Sequence, residues 1–397
     1  MAGSPRHDET VVVGTGGRPP PGPVAGEVQG HRLIELIGGG GMAAVAAAED
    51  PALGRRVAIK LLRGGDEEER RRFLQEARIT AQLEHPAIVP VHAAGTAADG
   101  SPWYTMTLVR GRTLAEILAR ERPAPDDRTL LRALVRACQA VAFAHSRGVV
   151  HRDLKPANLM LGGFGETLVM DWGLAAVSGT GVDAGSAGPD PDQAVSGTPA
   201  YMAPEQVMGG AAAHAAAVDV YALGAILYEL LTLEPPAAGG DAEAVLTAAA
   251  GGRIPPARRR APGRRIPREL EAVAARAMAW DPATRYPGAE ALAADLERFL
   301  DGRPVLALRV PWPQRAAKAV RRNPALAIAA AAALVLGSLA WGAASVRSAD
   351  LARAAEADAA RAAAAAARAV AGAVGGVAAA RGAVERTVGR RACAAAA

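Results

Sequence analysis

The stretch HRDLKPANLM, residues 151–160, brings an aspartate, a lysine and an asparagine close together at Asp153, Lys155 and Asn158. A second aspartate follows at Asp171, in the tripeptide DWG. Carboxylate and amide oxygens are hard donors, suited to a small divalent cation such as Mg²⁺. Upstream, LIGGGGMAAVAAAED (36–50) carries the spacing G-x-G-x-x-A-x-V from Gly38 through Gly40 and Ala43 to Val45. Glycine leaves the backbone bare, so such a loop can close over phosphates. Ala43 stands where a third glycine would complete the pattern. Between these pieces lies VAIK, ending in Lys60, and beyond them GTPAYMAPE spans 197–205.

In order and spacing these pieces resemble the motif set of protein kinases. The lysine of HRDLKP and the GT before APE resemble the serine/threonine class, and the likeness is strongest to bacterial membrane-anchored (Hanks-type) serine/threonine kinases. It covers residues 31–302. The resemblance implies transfer of the ATP γ-phosphoryl group, with Mg²⁺ or in its place Mn²⁺, to Ser or Thr hydroxyls of protein substrates, the chain itself included. Such transfer depends on positioning and charge neutralisation more than on covalent chemistry. The resemblance assigns Lys60 to the α- and β-phosphates and Glu76 to the role of its partner. It gives Asn158 and Asp171 to the metal and makes Asp153 the acceptor or orienter of the hydroxyl proton. Lys155 neutralises the moving phosphoryl group, and Thr198 bonds Asp153 and Lys155. Ile37, Gly38, Gly40, Val45, Ala58 and Met160 enclose the nucleotide. Met106 is the gatekeeper, with Thr107 to Val109 as the hinge beside adenine. Glu205 is expected to pair with Arg285, and Asp219 to hold the catalytic loop.

The chain departs from the family pattern in three places. Ala43 puts a methyl group where the loop approaches phosphate, which predicts weakened ATP binding. Trp172 replaces the usual Phe and brings an N–H that needs a partner. Related kinases carry a phosphothreonine facing Arg152, six to eight residues before the GT threonine; here those positions are Asp192 and Asp190. One reading is that these carboxylates partly replace the phosphate, and another is a flexible acidic loop. Ser178, Thr180, Ser186 and Ser196 are further phosphorylation candidates.

The elements around these residues follow from periodicity. HRLIELI and RRVAIKLL read as strands, as do PAIVPVHAAG and PWYTMTLVRG. The segment 66–85 has helical apolar spacing at Phe73, Ala77 and Ala81, and its acidic start suits a helix N-terminus. Residues 128–148 read as an amphipathic helix stopped by Gly148, and 218–232 as a buried helix. IPRELEAVAARAM and GAEALAADLERFL add two more. The expected fold class is α+β: a small β-rich lobe with one main helix, then a larger helical lobe.

The expected layout is a flexible Gly/Pro-rich leader over 1–30, the catalytic domain over 31–302 and a basic juxtamembrane segment over 303–322. A transmembrane helix over 323–346 and an Ala/Arg-rich tail over 347–397 follow. The 323–346 stretch is uncharged between Arg322 and Arg347 and is long enough as a helix to cross a bilayer. Arg315, Lys318, Arg321 and Arg322 precede it, which favours a cytoplasmic catalytic domain at the cell membrane. The tail is expected to be helical, with AGAVGGVAAARG as a glycine interruption. Homodimerisation through alanine-rich helix packing is an open alternative. The leader lacks the apolar core of a signal peptide. Cys138 and Cys393 are too far apart in sequence for a metal-ligand pair. The formal net charge is +5, but no stretch alternates basic and aromatic residues, so nucleic-acid binding is not expected. The rival function is an ATP-binding pseudokinase scaffold at the membrane. Retention of Lys60, Asp153 and Asp171 argues against it.

Overall fold

Side chains alternate across a strand, and this alternation divides the small lobe into two packed faces. The computed structural model describes residues 26–39, 43–124, 126–177, 199–209, 215–237, 242–252, 254–309 and 324–394. Strands β1 (Glu27–Val28), β2 (His31–Gly39), β3 (Ala43–Asp50), β4 (Arg55–Leu62), β5 (Val91–Thr96) and β6 (Pro102–Thr107) form one antiparallel sheet. Their order is β1-β2-β3-β4-β6-β5. Val45, Ala47, Ala58, Leu62, Tyr104 and Met106 lie in one core on the inner face. Ala46, Ala48, Val57, Ile59 and Trp103 lie in another on the outer face.

Helix α1 (Glu67–Gln82) covers part of the inner face, against β5 and β6. It starts at a capping box: Glu69 N–H donates to Asp66 at 2.8 Å, and Asp66 N–H donates to Glu69 at 2.9 Å. Glu67, Glu68 and Glu69 set negative charge at the helix's positive end. The helix ends short of the expected residue 85: Leu83 leaves helical geometry at a ψ of 77°, and Pro86 disfavours helix in the residue before it.

The large lobe begins with β7 (Gly111–Thr113), α2 (Leu114–Glu121) and α3 (Arg128–Ser146). Short strands β8 (Val149–Val150), β9 (Leu159–Gly162), β10 (Thr167–Val169) and β11 (Ala176–Val177) follow. β10, β9 and β7 pair in that order, and β11 pairs with β8. The HRD segment therefore spans β8 to β9, and DWG spans β10 to β11. Helices α4 (Pro204–Met208), α5 (Ala217–Thr232), α6 (Ala242–Ala250), α7 (Ala257–Arg260), α8 (Arg268–Ala277) and α9 (Ala289–Leu300) complete the lobe. α5 is buried on nearly every side, as its sequence predicts. Gly224 lets it approach α8 closely: a Cβ there would sit 2.6 Å from the Cβ of Ala277.

Residues 303–309, assigned on sequence grounds to the juxtamembrane segment, here pack onto the large lobe. Val305 is in its core. The buried Asp295 carboxylate accepts the Leu306 and Ala307 N–H groups at 2.5 and 2.9 Å and the Tyr286 hydroxyl at 2.7 Å.

The C-terminal unit is a single helix, α10 (Pro324–Ala394), about 107 Å long at 1.5 Å per residue. Its stretch Ala331–Gly389 is long and apolar enough to cross a membrane. The expected glycine interruption is absent: Gly372, Gly375 and Gly376 continue the helix. Glycine costs about 1 kcal/mol against alanine but, unlike proline, keeps its N–H, and alanines on both sides favour helix.

Candidate active site

Lys60 lies mid-strand in β4, directly opposite Val45 on one side and Tyr104 on the other. This register aims it inward at α1. Its Nζ donates to Glu76 Oε1 at 2.6 Å and lies 3.6 Å from Asp171 Oδ1. Lys60 and Glu76 are each only 7% exposed. Burial opposes the lysine's charge, but Glu76, with Asp171, outweighs it and holds the ammonium well above its usual pKa. Lys60 therefore stays charged at any working pH. Helix α1 brings Glu76 to it because Phe73, Glu76, Ala77 and Thr80 share one buried face.

An apolar wall adjoins this pair. Ile37, Val45, Ala58, Met106, Val109 and Met160 are buried in one cluster contributed by both lobes. Gly38 pairs with Val45 across β2 and β3. Thr107 follows Met106 at the end of β6, and its N–H donates to the Pro90 carbonyl at 3.0 Å. Val45, Ala58 and Met160 are wholly buried within this wall.

The catalytic loop is held from beneath. Asp219, fully buried in α5, accepts His151 N–H and Arg152 N–H at 2.8 Å each, and His145 Nε2 lies 2.7 Å away. Burial alone would raise the Asp219 pKa, but His145, His151 and the Arg152 N–H more than offset it, and the carboxyl stays below its usual range. The loop needs this grip because Arg152 takes a left-handed φ of 71°, which L-residues rarely adopt. Gln206 Nε2 donates to the Arg152 carbonyl at 3.0 Å. His151 Nε2 lies 3.0 Å from the Met170 carbonyl, and its Nδ1 accepts Asp153 N–H at 3.3 Å. The proton therefore sits on Nε2.

At the loop's surface, Lys155 Nζ donates to Asp153 Oδ2 at 2.7 Å. Asn158 Nδ2 donates to the Asp153 carbonyl at 2.8 Å. The Asn158 Oδ1 is buried and has no hydrogen-bond partner among the described residues. An orphaned hard oxygen of this kind, with the Asp171 carboxylate in the same site, fits a divalent cation. Asp171 itself takes a left-handed φ of 62°. Two protein ligands suit Mg²⁺, which commonly keeps its other positions for phosphate and water oxygens.

Trp172 is buried and stacks obliquely on His151, with ring centroids 4.6 Å apart. Its indole N–H finds no partner among the described residues. Glu205 meets Arg285 in a two-pronged ion pair of 2.6 and 2.8 Å, which ties α4 to the large lobe. Gly40, Thr198, Asp190 and Asp192 lie outside the described residues, as do Ser178, Thr180, Ser186 and Ser196.

Sequence reasoning missed one residue in the small lobe. The buried Tyr104 hydroxyl donates to Glu76 Oε1 at 2.7 Å. A signal was available, since Tyr104 lies two positions before Met106 and shares its strand face. His145 and Gln206 were also missed, because their partners are distant in sequence.

Comparison with known proteins agrees with this geometry. The family described as "Protein kinase domain" matches residues 31–296. Serine/threonine-protein kinase PknD of Protochlamydia amoebophila is 36% identical over 298 residues, covering 69% of this chain and 30% of that protein. Serine/threonine-protein kinase PknB of Mycobacterium tuberculosis is 38% identical over 290 residues, covering 70% of this chain and 44% of its own length. The chain thus spans less than half the length of either relative. The crystal structure of the Mycobacterium tuberculosis PknI kinase domain superposes with a TM-score of 0.52 at 26% identity, covering 69% of this chain and 97% of that one.

Proposed function

The chain belongs to the protein kinase family, and from that premise we propose that it is an active serine/threonine protein kinase acting at a membrane. The observation that carries this reading is the convergence at Lys60: one ammonium paired with Glu76 and 3.6 Å from Asp171. A scaffold that only holds ATP has no need of Asp153 and Lys155 beside that site, yet both are present and bonded to each other.

ATP lies between the lobes, its adenine on the wall formed by Val45, Ala58 and Met160 and beside the hinge at Thr107 to Val109. Lys60 binds the α- and β-phosphates, and Glu76 keeps the ammonium aimed at them. Asn158 and Asp171 hold the divalent cation, which when bound supplies positive charge to the phosphate oxygens. Asp153 orients a substrate Ser or Thr hydroxyl and takes its proton as the oxygen attacks the γ-phosphorus. Lys155 offsets negative charge on the transferring group. Thr198 is assigned by sequence to shaping the Ser/Thr pocket.

The membrane span is the segment 323–346 assigned on sequence grounds, which overlaps the start of the apolar stretch of α10. The basic residues before it set the catalytic domain on the cytoplasmic side. Protein substrates, and other copies of the chain, are the phosphate acceptors.

The test is phosphoryl transfer from ATP with Mg²⁺ to a generic basic protein, run beside Asp153→Asn. An amide cannot accept the hydroxyl proton, so the rate should fall by about 10²-fold or more. Label on Ser or Thr that disappears in the variant supports the kinase reading. ATP binding without transfer would move the scaffold reading ahead.

A further inference from the structure

We propose that Tyr104 is a positioning residue of the phosphate-binding lysine: its hydroxyl latches Glu76, and through it helix α1, to the sheet independently of Lys60. This inference rests on the kinase reading above for its catalytic consequence, but its geometry stands alone.

The Glu76 Oε1 accepts two donors at once, Lys60 Nζ at 2.6 Å and the Tyr104 hydroxyl at 2.7 Å. A carboxylate oxygen has the lone pairs to do so. The two donors come from adjacent strands at positions directly opposite each other in the β4–β6 register. They share a strand face, and α1 presents Glu76 to both. Packing alone does not require this hydroxyl. The phenol is 3% exposed, and the inner core around it is otherwise filled by aliphatic and methionine side chains with Phe73. Burial and the neighbouring Glu76 push the phenol's pKa well above its usual value, so it remains a donor.

The aromatic ring has a second part. The Tyr104 and Phe73 centroids are 5.1 Å apart, and Lys60 Nζ lies 5.8 Å from the first and 6.0 Å from the second. The ammonium is thus confined by two ring systems as well as by a carboxylate. The ammonium has three donors, so Lys60 can serve phosphates while it keeps Glu76. With lysine as the only tether, each shift of the ammonium toward ligand would pull on α1. The tyrosine bond involves no ligand, so it holds Glu76 in place throughout.

The experiment uses the full chain in detergent as four proteins: wild type, Tyr104→Phe, Glu76→Met and the double variant. Phenylalanine keeps the ring and removes only the hydroxyl. Loss of this buried hydrogen bond should lower kcat about fivefold and Tm by about 2–4 °C, with KM for the protein substrate unchanged. With Glu76→Met already present, the hydroxyl has lost its acceptor, and the same change should alter kcat by less than about twofold. Hydrogen exchange of the 73–80 amides should quicken about fivefold in Tyr104→Phe and not further in the double variant. Equal losses in both backgrounds would show simple packing and overturn the proposal, as would unchanged rate and exchange in Tyr104→Phe. Should the wild type transfer no phosphate, the functional reading fails, and the exchange of α1 still decides the role of Tyr104.

Discussion

Two buried ion pairs among the described residues join elements of the kinase domain, and they are built in opposite ways. In the small lobe, Lys60 meets Glu76 through one oxygen at 2.6 Å, with Asp171 standing 3.6 Å off as a second anion. In the large lobe, Arg285 grips Glu205 with both prongs. The same guanidinium also bonds the Ala279, Ala217 and Trp280 carbonyls at 2.8, 2.9 and 3.3 Å, and it lies 5.0 Å over the Tyr221 ring. Lysine is a point charge on a flexible stem and can change partners. Arginine is a planar fork that satisfies many acceptors in one fixed pose. The small-lobe pair therefore leaves lysine donors over for a further anion, and the large-lobe pair suits a joint.

This difference can be broken experimentally. Arg285→Met should have the largest effect, since it strands the Glu205 carboxylate in the interior. About 3–5 kcal/mol of stability should be lost, read as the change in denaturant midpoint. A loss of activity at unchanged stability would mean that the joint is itself part of the chemistry. Lys60→Met should reverse the pattern. Phosphoryl transfer should fall by about 10²-fold, or about 3 kcal/mol of barrier, in a steady-state assay. Stability should fall less than in Arg285→Met, because Tyr104 still bonds Glu76. Equal destabilisation by the two variants would erase the distinction between them.

The smallest effect concerns the glycine-rich stretch. Ala43 opens β3 at the position of a third glycine. Ala43→Gly should tighten ATP binding by about two- to fivefold in a titration, the scale of a small steric relief. Tighter binding by the wild type would contradict it.

Much of the site was legible because chemistry restricts residue type. Asp153, Lys155, Asn158 and Asp171 are readable in order along the chain, as are Lys60 and the Glu205–Arg285 pair. The long helices were legible for a different reason: apolar spacing in α3, α5, α8 and α9 is a local property. The short α2 escaped notice, although Thr113 and Glu116 form a capping box at its start. Eight residues are too few for periodicity to stand out. The packing of residues 303–309 was not legible for a related reason. Residues 303–309 look like a linker, but one buried carboxylate, Asp295, captures two of their N–H groups.

By itself, the sequence determined which chemical groups exist, their order, the alternation of the strands and the apolar faces of the helices. These are properties of residue type and of neighbours along the chain. Only the tertiary structure decided that Tyr104 shares an oxygen with Lys60, that Asn158 Oδ1 is left without a partner, and that Asp219 grips a loop 67 residues away. Those facts depend on strand register and on burial. A hydrogen bond is set by tenths of an ångström between groups that no local pattern links, and burial fixes the cost of leaving it unmade.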